Sequence, residues 1–331
     1  MNTSYEAPSL VDDKAKLAVA YMEDPKSNPG RLSIAWTAWK NLVYMLLFAA
    51  ALCSFFGLCL WVFYQTLDNY TPKLTTTSSF IGTNPGLGYR PMKQESDPYS
   101  SLIWFRHGAG GNWKDLKNNL DAFLEEYEPG YWANAGASQT KCQMDRPPLN
   151  KDEACEFNKE WLSDQGSDIK CISEEHYGYY HGKPCILLKL NRIYGWMPVP
   201  YFNVTRVEEH PTMPKDLKHH IRKTWEDNCR GRPEVEQRCP QLNMVWLHCD
   251  GETDPDKESI GSVSYTPWRG FPAYFFPYWN QLGYLQPIVM VQLKNPMPGV
   301  LINIQCTAWA DFIEHDGQKM RGSVHIEFLM D

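Results

Sequence analysis

The chain has 331 residues, a formal net charge of −7 and 14% aromatic residues. The negative balance argues against a nucleic-acid partner and against a polybasic patch on an anionic membrane. The length allows a short anchor followed by one large domain or two small ones, with a real buried core.

Residues 1–41 form a polar stretch with no sustained periodicity, read as a largely disordered tail. Residues 42–64 read LVYMLLFAAALCSFFGLCLWVFY and carry no charge. At about 1.5 Å per residue such a run crosses a hydrocarbon core of roughly 30 Å. A helix is the form in which an isolated span satisfies its own backbone in lipid. The run lies too far from the N-terminus, and is too long, for the roughly 7–15-residue core of a cleaved signal. Lys26, Arg31 and Lys40 precede it, and only Lys73 follows closely. The positive-inside bias then predicts a cytoplasmic N-terminus and a C-terminus on the outer side, a type II anchor. Ala49, Cys53 and Gly57 recur at helical spacing, a row that lets a second helix approach closely in lipid. Trp61 and Tyr64 suit the lipid–water interface.

Residues 65–99 are rich in Thr, Ser, Gly and Pro and lack a period of two or 3.6. They are expected to run as an extended stem. Residues 100–331 are expected to form one disulfide-bonded domain. Its first helix is predicted over 112–127, with Trp113, Leu116, Leu120, Phe123, Leu124 and Tyr127 on one face and Asn112 as cap. Beyond Gly130 the pattern is β-like. Runs at 101–105, 184–193, 245–249, 287–293, 300–306 and 324–328 have strand spacing with turn signals between them, which predicts a mainly β fold of sandwich type.

Of the ten cysteines, Cys53 and Cys59 lie in the apolar run and are read as reduced packing residues. The other eight lie beyond it, in an oxidising compartment, and imply four disulfides among 105 possible pairings. Strand parity points Cys249 and Cys306 into the core, where a bridge between facing sheets is natural. Chain order suggests local pairs for the rest: Cys142–Cys155, Cys171–Cys185 and Cys229–Cys239.

Signals for catalysis are weak. Gly108-Ala109-Gly110-Gly111 lacks the Lys-Ser/Thr of a phosphate loop and reads as a turn. Asp254-Pro255-Asp256 resembles the metal-holding acid pair of Golgi glycosyltransferases, but acids so spaced are common in charged loops. His219 and His220 are read as solvent-facing. No zinc spacing and no nucleophile elbow occur, so neither a cofactor nor a metal is expected. Asn203-Val204-Thr205 is expected to carry a glycan.

Residues 271–287 read FPAYFFPYWNQLGYLQP. By density alone this is either a core plug or a docking surface. The stretch YFFPYWNQLGYLQPIVMVQL and the block YGYYHGKPCILLKLNRIYGW (177–196) resemble signatures of the β subunits of Na⁺/K⁺- and H⁺/K⁺-transporting P-type ATPases. Cys142, Cys155, Cys171, Cys185, Cys249 and Cys306 follow that family's order and, by resemblance, its consecutive pairing. The resemblance implies an immunoglobulin-like ectodomain and a non-catalytic subunit for a catalytic α subunit, with a small single-span regulatory subunit as a further partner. Such a subunit serves folding, assembly and delivery of its partner and modulates K⁺ occlusion. Tyr44, Phe48, Ala49, Cys53 and Gly57 in the span, and Tyr274, Phe275, Tyr278 and Trp279 outside it, are the expected partner contacts. An adhesion glycoprotein and, less compatibly, an acid-pair transferase are the alternatives.

Overall fold

The computed structural model describes residues 31–68, 71–92, 100–144, 148, 150–163, 170–233, 235–236, 238–316 and 321–331. The tail reading for residues 1–30 lies outside them. The chain divides into two compact units, Met1–Asp68 and Asn69–Asp331.

The first unit is built on α1, Arg31–Gln65. Within its apolar part, Ile34–Gln65, an 18-residue core has a mean hydropathy of 2.4 and is nowhere buried against the rest of the chain. A helix apolar on every side suits lipid rather than a water-facing surface. It begins before the expected Leu42 because residues 31–41 contain no breaker. At its end the Thr66 hydroxyl donates to Phe63 O at 2.7 Å.

The second unit is a β-sandwich. One sheet holds β1 (Leu87–Arg90), β5 (Cys185–Leu190), β9 (Ile288–Leu293) and β7 (Val263–Thr266), in that order and antiparallel throughout. The other holds β2 (Leu102–Phe105), β11 (Ser323–Met330), β10 (Ile302–Trp309), β6 (Met244–Gly251) and β8 (Gly270–Pro272). Only β2 runs parallel to its neighbour in that sheet. Two short strands, β3 (Gln139–Thr140) and β4 (Ala154–Cys155), pair beside them. Leu187, Met290, Ile304, Ile326 and Phe328 are fully buried in the shared core. β9 is buried along its entire length, as a central strand covered on both faces should be.

Several expectations are corrected. The stretch read as an extended stem supplies β1 to the sandwich, with Leu87 and Tyr89 buried in the core. The first helix, α2, is shorter, Lys114–Leu124, and Asn112 does not cap it. The Asn112 side chain instead accepts the Arg106 N–H at 2.7 Å and closes the glycine turn. A Cβ at Gly111 would lie 1.9 Å from Arg106 O, so only glycine fits there.

The third correction concerns the β-like reading past Gly130. Helices α3 (Val204–Glu209) and α4 (Lys215–Asn228) form an outer layer. Val207, Met213, Leu217 and Ile221 pack with Met244, Trp246 and Trp309 into a second core. Trp246 points to the face of β6 opposite Val245 and Leu247, yet it too is 1% exposed because this layer covers it. His220, on α4, is half-buried with its ring 5.7 Å from that of Trp246, not solvent-facing.

All four expected disulfides are present. Cys249–Cys306 does not bridge facing sheets, however. The two residues are register partners on β6 and β10 of one sheet. Parity established that they share the core face but carried no information on which strands are neighbours.

Candidate partner-binding surface

Among the described residues, no group of three or more His, Cys, Asp or Glu is placed to hold a metal. The acid pair is structural. Asp254 and Asp256 lie in the first turn of α5 (Asp254–Ile260). The buried Asp256 carboxylate accepts Thr253 N–H at 3.1 Å and Asn303 N–H at 2.9 Å, tying the helix start to β10. Burial opposes its ionisation, but the hydrogen bonds from Thr253 and Asn303 outweigh that and hold its pKa below the ordinary value. Asp254 is exposed and pairs with Lys257 at 3.2 Å. The transferase reading therefore loses its metal pair.

The aromatic stretch at 271–287 divides into two parts. Phe271, Tyr274, Phe275, Phe276 and Tyr284 are buried. The Tyr274 and Phe275 rings lie 4.6 Å apart, and Phe275 packs on Phe157 at 6.0 Å. Tyr274 and Phe275 were expected at a partner contact; the structure instead puts them beneath the surface as its support. Tyr278, Trp279 and Leu282 reach the surface.

This outer part interlocks with the segment just after the 184–193 strand run, part of the 177–196 block but not named among the expected partner contacts. Tyr194 bridges to Tyr278, and Gly195 N–H donates to Tyr278 O at 2.8 Å. The Tyr194 and Trp279 rings meet edge-on at 5.3 Å. A Cβ at Gly195 would lie 2.9 Å from the Trp279 ring, so the indole covers the glycine directly. The Arg192 guanidinium sits 5.4 Å from the Tyr278 ring and 5.5 Å from the Tyr284 ring. Lys151 lies 4.8 Å over Trp279. The available signal was Gly195 between two aromatics, Tyr194 and Trp196.

The strand registers place this surface. Leu87 pairs with Leu190, and Lys189 with Ile288, so the start of β1, the end of β5 and the start of β9 share one end of the sandwich. Tyr194 follows that end of β5, and the 277–284 segment precedes that end of β9. β10 reaches the same end, because Asn84 is hydrogen-bonded to Glu314 at 2.9 Å in both directions. Met197, Val199 and Phe312 are exposed there too.

In α1 the Tyr44 and Phe48 rings stack with centroids 6.3 Å apart. At about 100° per residue, Ala49, Cys53 and Gly57 fall on the opposite side of the helix from them. A Cβ at Gly57 would meet nothing within 4 Å, which leaves that side open. The five span residues expected at one contact thus form two faces. Asn203 is exposed and caps α3, its side-chain oxygen accepting Thr205 N–H at 2.9 Å.

Comparison with known proteins agrees with this layout. The sodium/potassium ATPase beta chain family model matches residues 13–326. A sodium/potassium-transporting ATPase subunit beta-2 from Drosophila melanogaster is 39% identical over 98% of this chain and 94% of its own length. Subunit beta-1 from the same organism is 32% identical over 91% and 88%. Human subunit beta-2 is 25% identical, again over 91% and 88%. With one apolar helix, a disulfide-bonded β-sandwich and this match along nearly its full length, the chain belongs to the sodium/potassium ATPase beta chain family.

Proposed function

We propose that this chain is the non-catalytic subunit of a sodium/potassium-transporting ATPase. It binds the catalytic subunit, supports its folding and delivery to the plasma membrane, and modulates K⁺ occlusion. The family match carries the reading, and the interlocked surface of Tyr194, Tyr278 and Trp279 supports it with a place for the partner to dock. α1 anchors the chain with its N-terminus in the cytoplasm, in keeping with the basic residues on that side. The disulfides and the second core hold the docking surface rigid, which lowers the entropy lost on assembly. The glycan on Asn203 belongs to the extracellular side.

The test is purification of the tagged full-length chain in mild detergent. A P-type catalytic chain is expected in stoichiometric amount, and the complex should hydrolyse ATP. A chain recovered alone from cells that express such a pump overturns the reading and moves the weight to adhesion.

A further inference from the structure

Between α4 and the connection from β7 to β8 lies a cavity of about 640 Å³. That volume falls within the about 300–1,000 Å³ of small-molecule sites. Met144, Met244, Pro267 and Trp268 give it apolar walls, and Trp246 of β6 lines it as well. None of its lining residues belongs to the interlocked surface of Tyr194, Tyr278 and Trp279.

The polar part of the lining is made of donors. Trp246 is buried, and its Nε1–H has no hydrogen-bond partner among the described residues. A buried donor carries the full penalty of desolvation until an acceptor reaches it, and native structures leave few so. Indole nitrogens donate and never accept, so what completes Trp246 is an acceptor. The His220 ring stands nearly perpendicular to the indole, 5.7 Å away.

The charged lining is cationic. Arg269 lines the cavity with its guanidinium 4.9 Å from the Tyr265 ring. It is held in place by Nη2 donating to Asp216 Oδ2 at 2.5 Å and Nε donating to Leu247 O at 3.2 Å. The Asp216 side chain is 58% exposed, and no acidic residue lines the cavity. His220 is pushed towards its neutral form by burial first and then by Arg269, Lys223 and His219, against Asp216. The local field therefore opposes a further cation and favours an anion.

We propose that this cavity binds an apolar carboxylate, its body between Met144, Met244 and Trp268 and its carboxylate accepting the Trp246 N–H beside Arg269. The apolar walls take up the body, and removal of that body from water supplies the driving force. The charged head makes a stronger hydrogen bond to the indole than a neutral acceptor does. An uncharged ligand of the same shape satisfies the indole but gains nothing from the guanidinium. Because the walls come from α4, β6 and the 267–269 connection, the bound molecule ties the outer layer to the sandwich. It binds the folded chain only, so it raises the melting temperature as its concentration rises.

The test is fluorine NMR of fluoronaphthoate and of its uncharged amide, with the full-length chain and its associated chains in phosphatidylcholine nanodiscs. Empty nanodiscs correct for partition into lipid. Saturable broadening of the naphthoate signal is expected, with several-fold weaker binding of the amide. Trp246→Phe keeps the ring and deletes an N–H that bonds nothing in the fold, so it should spare the melting temperature and weaken naphthoate binding several-fold. Thr224→Phe places a ring in the cavity from α4, where the Thr224 hydroxyl bonds only the His220 carbonyl of its own helix. It should abolish binding, with circular dichroism checking the fold. Binding no greater than to empty nanodiscs, or equal binding of acid and amide, overturns the proposal in the unmodified chain. Undiminished binding by folded Trp246→Phe or Thr224→Phe overturns it as well.

Discussion

Cys249 and Cys306 face each other in register on adjacent antiparallel strands, with their Cα atoms 4.0 Å apart. Their disulfide staples β6 to β10 inside one sheet and closes a sequence separation of 57 residues. Cys229–Cys239 closes a separation of only 10 and ties the end of α4 to the turn after it. Loop-closure entropy then assigns about 4 kcal/mol to the first bridge and about 3 kcal/mol to the second. Replacing both members of each pair by Ala should lower the melting temperature more for Cys249/Cys306 than for Cys229/Cys239. Thermal melts of the two double variants check this, and the reverse order would refute it.

Burial divides the aromatic stretch into support and contact. Phe275→Ala removes a ring from the core and should cost about 3–5 kcal/mol of stability. Tyr278→Ala and Trp279→Ala remove half-buried rings and should leave the sandwich folded while weakening capture of the catalytic chain. Alanine substitution at an interface hot spot costs about 2 kcal/mol or more, close to thirtyfold in affinity. Co-purification measured beside circular dichroism separates the two groups. Loss of capture with Phe275→Ala at unchanged stability would contradict this division.

The strands that carry the sandwich were legible because apolar residues alternate along β10 and β11 with period two, and each buries one face on the shared core. The helical outer layer was not legible, because β6 is buried on both faces and alternation cannot register that. Met244 and Trp246 are polar-side positions only if nothing covers them, and what covers them comes from residues 204–242. β1 escaped notice for a different reason. Its four residues include Gly88, which has weak strand propensity, and its place is decided by pairing with the distant β5. At the candidate surface, the dense aromatic run was legible as a run. Which of its rings point outward depends on Tyr194 and Gly195, some eighty residues earlier, and no local period encodes that contact.

The two faces of α1 should behave differently under substitution. Gly57→Leu fills the open side and should block close approach of a partner helix, which depends on small residues. Tyr44→Ala trims the stacked pair on the other side. If the catalytic chain packs on the small-residue side, Gly57→Leu lowers co-purification and Tyr44→Ala leaves it nearly unchanged. Neither should alter the melting of the ectodomain, since the two substitutions lie in the other compact unit. Detergent co-purification at matched expression is the measurement, and an equal loss with both variants would show that the helix is enclosed rather than one-sided.

Asn203 is both a sequon residue and a helix cap, and the two roles can be separated. Thr205→Ala destroys the sequon but leaves the Asn203 oxygen bonded to the backbone N–H of residue 205. Asn203→Ala removes sequon and cap together, and loss of such a cap costs about 0.5–2 kcal/mol. Both variants should lose the gel shift produced by endoglycosidase, and Asn203→Ala should melt lower than Thr205→Ala. An unchanged shift in either variant would show that this asparagine carries no glycan.

Acidification should loosen the outer layer before the sandwich. The His210 ring lies 5.5 Å from Trp309. Its Nδ1 is buried without a hydrogen-bond partner. Burial pushes the His210 pKa down, the nearby Lys218 and His315 push it further, and Asp311 opposes them. His220 beside Trp246 is lowered by burial first and then by Arg269, against the pull of Asp216. In the unfolded chain both titrate near 6.5. As pH falls below about 6.5, the unfolded state therefore binds protons that the folded state does not, and stability declines until the folded values are reached. Asp216 acts in a different window. Burial opposes its ionisation, but the His248 and Arg269 side chains beside it hold its carboxyl well below the usual range. Its contribution is present above the unfolded value of about 3.9 and is lost only on further acidification, so it does not vary between about pH 7.5 and 5.5. The melting temperature should fall across that interval, and His210→Gln and His220→Gln should each flatten the decline. A pH-independent melt in the unmodified chain would refute the assignment.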